Sequence, residues 1–111
     1  MQIVDSHCHL DFPDFENDLD EVVTRASNAG VSHMLTICTQ VSKFDQVHNV
    51  AKRFDNVWCT AGIHPHNIER EPKITADALI KLSDSPRVVG FGETGLDYYY
   101  EHSSRPQQEE S

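Results

Sequence analysis

The sequence predicts an α/β fold built on a parallel sheet of about four strands. Two observations carry this reading. Short β-branched or apolar runs alternate with segments of helical period, the pattern of successive βα units. Unusual polar residues also fall just after three of those runs, on the side where parallel α/β proteins build their sites. A length of 111 residues, 38% apolar and 24% charged, fits one ordinary globular domain.

Gln2 to Ser6 reads as the first strand. After the loop Leu10-Asp11-Phe12-Pro13, a helix is expected from about Asp14 or Asn17 to Ala29, with Leu19, Val22, Val23 and Ala26 on one face and Gly30 as its stop. Val31 to Cys38 is the second strand. Ser42 is the expected N-cap of the next helix, which runs to Phe54 with Phe44, Val47, Val50 and Ala51 on its apolar face. Val57 to Gly62 is the third strand, followed by a Pro/His/Asn-rich loop from Ile63 to Pro72. Thr75 then caps a short helix, Ala76 to Leu82, and Val88 to Phe91 is the fourth strand. Ser104-Arg105-Pro106-Gln107-Gln108-Glu109-Glu110 has the capping serine, early proline and acidic residues of a helix start.

Cys8, Cys38 and Cys59 form no Cys-x-x-Cys pair, which argues against a disulfide framework or a zinc ribbon. Cys38 and Cys59 read as reduced, buried strand residues, and Cys8 as a small packed thiol facing away from its histidine neighbours. No apolar stretch approaches the roughly 20 residues that cross a bilayer, and no signal peptide is evident, so the expected compartment is cytoplasmic and no membrane partner is expected. The net charge of -9 is opposite to the footprint of a protein that grips nucleic acid by its surface charge. A phosphate substrate would need local help, which bound divalent cations provide.

His7-Cys8-His9 is the strongest chemical signal. Side chains at i and i+2 of a strand share one side, roughly 6.6 Å apart along it, so both rings can converge on one cation. With Glu93 they make a mixed N/O set suited to Zn, Mn, Co or Fe, and less naturally to Mg. Glu93 lies between Gly92 and Thr94-Gly95, where the backbone allows close approach to a ligand, and its carboxylate can bridge two ions. Asp5 has the strand parity to hydrogen-bond a ligand imidazole, or else caps a backbone turn. His64 and His66 flank Pro65, and either can hold a substrate phosphate or carbonyl or move a proton; His64 follows its strand more closely. Asp97 is placed to orient a ligand. Tyr98-Tyr99-Tyr100 reads as rim packing or as a stacking surface for a base or sugar. His33, His48 and His102 have no partner spacing and read as ordinary surface or half-buried residues, and no Gly-rich phosphate loop, Ser-His-Asp grouping or zinc-finger spacing is present.

Three segments together resemble the TatD family of metal-dependent hydrolases: Val4-Asp5-Ser6-His7-Cys8-His9-Leu10-Asp11, Ala61-Gly62-Ile63-His64-Pro65-His66, and Gly90-Phe91-Gly92-Glu93-Thr94-Gly95-Leu96-Asp97-Tyr98-Tyr99. The resemblance implies a (β/α)₈ TIM barrel related to the amidohydrolases, an architecture of about 250 residues. Residues 1–111 would then be its N-terminal half, an incomplete domain. It also implies deoxyribonuclease-type phosphodiester hydrolysis through two divalent metal ions, with DNA ends or nucleotides as substrate. By resemblance His7 and His9 bind one metal, Glu93 bridges two, and His64 lies near the substrate. The remaining ligands, further histidines and an aspartate, are expected beyond Ser111, and the isolated segment is expected to hydrolyse little. Its full-length parent is expected to be monomeric, while the segment alone is open to self-association through unpaired sheet edges. Two alternatives stay open: a C–N or carboxylic ester hydrolase of amidohydrolase type, and a non-catalytic remnant that depends on a partner. An intact native product heavier than 12.6 kDa is the expected outcome of mass spectrometry.

Overall fold

The β-branched and apolar runs form one parallel sheet in the order β1 (Ile3–Cys8), β2 (Val31–Thr36), β3 (Val57–Ala61), β4 (Val88–Phe91). The computed structural model describes residues 1–111. The intervening helices are α1 (Leu19–Asn28), α2 (Phe44–Arg53) and α3 (Ala76–Ser83), and α4 (Arg105–Glu110) follows the sheet. This is the predicted alternation. Helical period places Leu19 and Val23 of α1, and Phe44, Val47, Val50 and Ala51 of α2, in one buried cluster with Met34, Val57, Cys59 and Ala61 of the sheet. Gly30 ends α1 as expected. It has φ of +100°, and a Cβ there would sit 2.9 Å from the Met1 carbonyl oxygen. Thr75 caps α3, its hydroxyl accepting from the Ala78 N–H at 3.1 Å. No helix is long and apolar enough to cross a membrane.

Several boundaries differ from the sequence reading. β1 continues past Ser6 to Cys8, because pairing with β2 persists through Cys8 and Thr36 and the Ile37 N–H donates to the Cys8 carbonyl. β2 stops at Thr36, so Cys38 is buried just beyond the strand and not within it. Ser42 is not an N-cap. It lies inside the 3₁₀ turn Val41–Lys43 that leads into α2, and both its N–H and its hydroxyl donate to the Glu71 carboxylate. Ser104 starts α4, but its hydroxyl donates to Gln107 Oε1 and caps no backbone group. The three tyrosines are exposed to different degrees, with Tyr98 under Arg105. Tyr99 and Tyr100 are 86% and 63% exposed.

The strand ends are tied together by buried hydrogen bonds. The Thr60 hydroxyl accepts from the Cys38 N–H at 3.1 Å and donates to the Gly92 carbonyl at 2.5 Å. The Glu93 N–H donates to the Cys38 carbonyl at 2.7 Å, and the Gly92 N–H to the Ala61 carbonyl at 3.0 Å. A parallel device joins β1 to β2, where the fully buried Thr36 hydroxyl accepts from the Leu10 N–H at 3.0 Å. Gly62 permits the closest approach of all. A Cβ at that position would meet backbone atoms of Gly92 at 2.7 to 2.9 Å.

Two substitutions test this arrangement by urea denaturation. Thr60→Val keeps the side-chain shape but leaves the Cys38 N–H and the Gly92 carbonyl without that partner, and it should cost about 1–3 kcal/mol of stability. Gly62→Ala should destabilise as well, since neighbouring backbone and no flexible side chain must shift. A stability unchanged in both variants would contradict the account.

Candidate metal centre

The C-terminal ends of β1, β3 and β4 bring four of the predicted residues to one place. His7 is the penultimate residue of β1 and His9 follows its end, while His64 and Glu93 lie just past β3 and β4. The Glu93 carboxylate is at the middle. Its Oε2 is 3.3 Å from His7 Nε2 and 3.8 Å from His9 Nε2, and its Oε1 is 3.3 Å from His64 Nε2. The two oxygens therefore face different partners, the His7/His9 pair on one side and His64 on the other.

His7, His9 and Glu93 each offer a ligand atom within 4.8 Å of the others. Two ligands of one tetrahedral Zn²⁺, each at its usual bond length, lie about 3.4 Å apart. The separations at Glu93 Oε2 are close to that, and the donors are the imidazole and carboxylate types that first-row divalent cations take. The residues fit a metal ion.

Hydrogen bonding assigns opposite tautomers to His9 and His64. His9 Nδ1 lies 3.2 Å from the Ile37 carbonyl oxygen, which only accepts, so Nδ1 carries the proton and Nε2 keeps a free lone pair toward Glu93. His64 Nδ1 accepts from the His66 N–H at 3.0 Å, so in the neutral ring Nε2 carries the proton, 3.3 Å from Glu93 Oε1. Burial, opposed by the Glu93 charge, holds His64 below the ordinary histidine value of 6.5. The neutral donor form therefore prevails at pH 7. His9 Nε2 thus keeps a free lone pair, while His64 Nε2 carries a proton.

Cys8, between the two histidines, takes no part. Its thiol donates to the Leu35 carbonyl on the core side, and burial, with the charges of Asp5 and Asp11, pushes it up to about 12. Asp5 does not reach a ligand imidazole; its Oδ1 accepts from the His7 backbone N–H at 3.1 Å. The period-two count fails there because β1 slips register against β2. Asp5 pairs with Met34 and Cys8 with Thr36, three steps on one strand against two on the other. Asp5 thus fixes the backbone that carries His7, the turn-capping alternative of the two read from sequence.

His66 is paired through Nε2 with Asp97 Oδ2 and not with Glu93. Asp97 Oδ1 accepts from the backbone N–H groups of Tyr99 and Tyr100 at 3.0 and 3.1 Å. The His66 bond and these N–H donors hold the Asp97 carboxyl below its ordinary range. An open cleft of about 300 Å³ is lined by His9, Phe12, Thr39, His64, His66, Asn67 and Glu93. Sequence reasoning missed Phe12, whose ring stacks on His9 at 4.5 Å, and His102, whose ring is 4.6 Å from His66. It also passed over Asp11, whose Oδ1 is buried without a hydrogen-bond partner and whose carboxyl burial pushes up. No spacing rule marks any of the three.

Comparison with known proteins gives one consistent result. The family model for TatD related DNase matches residues 4–111. The 3'-5' ssDNA/RNA exonuclease TatD of Citrobacter koseri is 42% identical over 95 residues, covering 86% of this chain and 36% of that protein. The uncharacterized metal-dependent hydrolase YcfH of Escherichia coli is 38% identical over 114 residues, covering 100% of this chain and 42% of that protein. Among solved structures, a TatD family hydrolase from Entamoeba histolytica superposes with a TM-score of 0.82 at 26% identity over 99% of this chain and 43% of its own. The TatD homolog YJJV of Escherichia coli gives 0.75 at 29% identity, over 97% of this chain and 41% of its own. The chain thus spans about two fifths of the length of these relatives. By the family model and by fold, it belongs to the TatD related DNase family.

Proposed function

We propose that the protein carrying this chain is a divalent-metal-dependent hydrolase of phosphodiesters, acting on the ends of nucleic acid chains or on short nucleotides. The observation that carries the reading is the division of labour around Glu93: one carboxylate oxygen turned to His7 and His9, the other to the donor His64. His7, His9 and Glu93 would hold the divalent metal. Bound there, it would supply activation of water and neutralisation of charge at phosphorus.

The remaining roles belong to the chain's own groups. His64 Nε2–H, 3.3 Å from Glu93 Oε1, would donate to a non-bridging phosphate oxygen as charge grows there. His66 holds His64 in that tautomer through its backbone N–H, and its own ring is fixed by Asp97. The net charge of -9 makes the cations the main attraction for a phosphate, which favours small or end-bound substrates over long duplexes. The metal-dependent hydrolase and exonuclease names carried by the relatives support the same chemistry.

Three outcomes are expected with the full-length protein. Glu93→Ala should lower metal-dependent hydrolysis of a single-stranded oligonucleotide by more than about 100-fold, since even outer partners of metal ligands are worth 10–100-fold. Unchanged activity in that variant would sink the assignment. His64→Ala should leave metal affinity, read by titration calorimetry, within about threefold, while kcat falls about 10²–10³-fold, the effect of losing one donor to a developing oxyanion. A collapse of metal affinity would make His64 a ligand instead. Excess chelator should abolish turnover and Mn²⁺ or Zn²⁺ restore it. A substrate panel in which amides or carboxylic esters are cleaved and phosphodiesters are not would replace this reading with the amidohydrolase one.

A further inference from the structure

Beside the Glu93 centre lies a second cluster that holds no metal-ligand geometry and is aromatic. The rings of Tyr100 and His102 are parallel within 4°, their centroids 5.7 Å apart. His66 stands edge-on to both, at 5.8 Å from Tyr100 and 4.6 Å from His102. The His66 ring is in turn 4.4 Å from His64, whose Nε2 faces Glu93. A continuous line of rings therefore runs from the carboxylate out to Tyr100, which is 63% exposed. We propose that Tyr100 and His102, set against His66, form a stacking platform for the nucleobase of the nucleotide bound at the Glu93 centre.

The platform is built and not merely exposed. Asp97 joins its two halves, with Oδ2 on the His66 ring and Oδ1 accepting from the N–H groups of Tyr99 and Tyr100. Asp97 is itself held by Gln108: its N–H donates to Gln108 Oε1 at 2.6 Å, and Gln108 Nε2 donates to the carbonyls of Asp97 and Ser103. Gln108 and Ser103 are both buried. Tyr98, by contrast, is engaged elsewhere, with its hydroxyl on Glu109 and Arg105 over its ring. Order created during folding need not be created again on binding, so a preformed aromatic face favours its ligand.

Charge selects the ligand. The carboxylates of Asp97 and Glu101, within a chain of net charge -9, give the ring cluster no attraction for a phosphodiester backbone, and the Arg105 guanidinium is bonded to Glu101. A base offers a neutral π face, and stacking on aromatic rings tolerates any base identity. A base can reach such a platform only when it is unpaired and unstacked, so the site takes single-stranded or frayed ends in preference to blunt duplex. The proposal rests on the nucleic-acid substrate proposed above.

The test uses the full-length protein with metal and an oligonucleotide ending in 2-aminopurine, its terminal linkage a phosphorothioate to slow turnover. Wild type should quench the fluorophore. Tyr100→Ala and His102→Ala should lose the quenching and bind about tenfold more weakly, whereas Tyr100→Trp, which keeps a ring on this exposed position, should retain both. An oligonucleotide with an abasic terminal residue should bind wild type about tenfold more weakly and be indifferent to the alanine substitutions. Absence of quenching by wild type, or equal losses on base-bearing and abasic ends, would overturn the platform. Hydrolysis of ordinary linkages separates the two ideas: cleavage that ignores the terminal base refutes the platform alone, and no cleavage of either end refutes the nuclease reading together with it.

Discussion

The arrangement at the mouth of the sheet depends on one buried hydroxyl. Thr60 Oγ1 lies between the Cys38 N–H and the Gly92 carbonyl, so a single side chain joins the segments that follow β2 and β4 through β3. The Cys38 carbonyl then takes the Glu93 N–H, and the Glu93 carboxylate is placed one residue beyond the tie. Within a buried environment each of these groups would carry a desolvation cost if unpaired, which makes the alternatives to this geometry unfavourable. Gly62 completes the constraint sterically, because only a residue without Cβ lets the end of β3 lie against Gly92.

This rigidity explains how a small core supports an ordered site. Twenty residues are buried, gathered mainly between the sheet and helices α1 and α2. The outer strands β1 and β4 carry exposed apolar residues, Ile3 and Val4 on one and Val89 and Phe91 on the other. Such edges want a cover. The relatives, more than twice as long, share the fold over nearly all of this chain. The polar ties at the strand ends are local and hold His9, His64 and Glu93 by backbone neighbours at the ends of the four strands, so the cluster described here is specified by these residues themselves.

The fold was legible because its signals are local and periodic. Alternating β-branched runs and helix-period segments named all four strands and the three longer helices, and Gly30 and Thr75 acted where their backbone chemistry requires. The His7/His9/Glu93 cluster was legible for a similar reason: its residues sit at the ends of β1 and β4, and the strand ends of a parallel sheet lie on one side. What failed depends on contacts between distant residues. Of the two roles open to Asp5, strand parity could not pick the bond to the His7 N–H, because a register slip against β2 breaks the period-two count. Ser42 was read as a cap although Glu71, remote in sequence, claims both its donors. The opposite tautomers of His9 and His64 follow from Ile37 and from the His66 N–H, and the aromatic cluster from the pairing of Asp97 with His66. None of these has a spacing signature.

His7, His9 and Glu93 are proposed to hold the cation while His64 stands by as a donor. Anomalous diffraction from crystals of the full-length protein grown with Mn²⁺ or Zn²⁺ tests it most directly. The predicted result is an anomalous peak bonded to His7 Nε2, His9 Nε2 and a Glu93 oxygen, with His64 Nε2 outside bonding distance of that ion. A peak ligated by His64 in place of His7 or His9, or saturating metal that leaves all three residues unligated, would contradict the account.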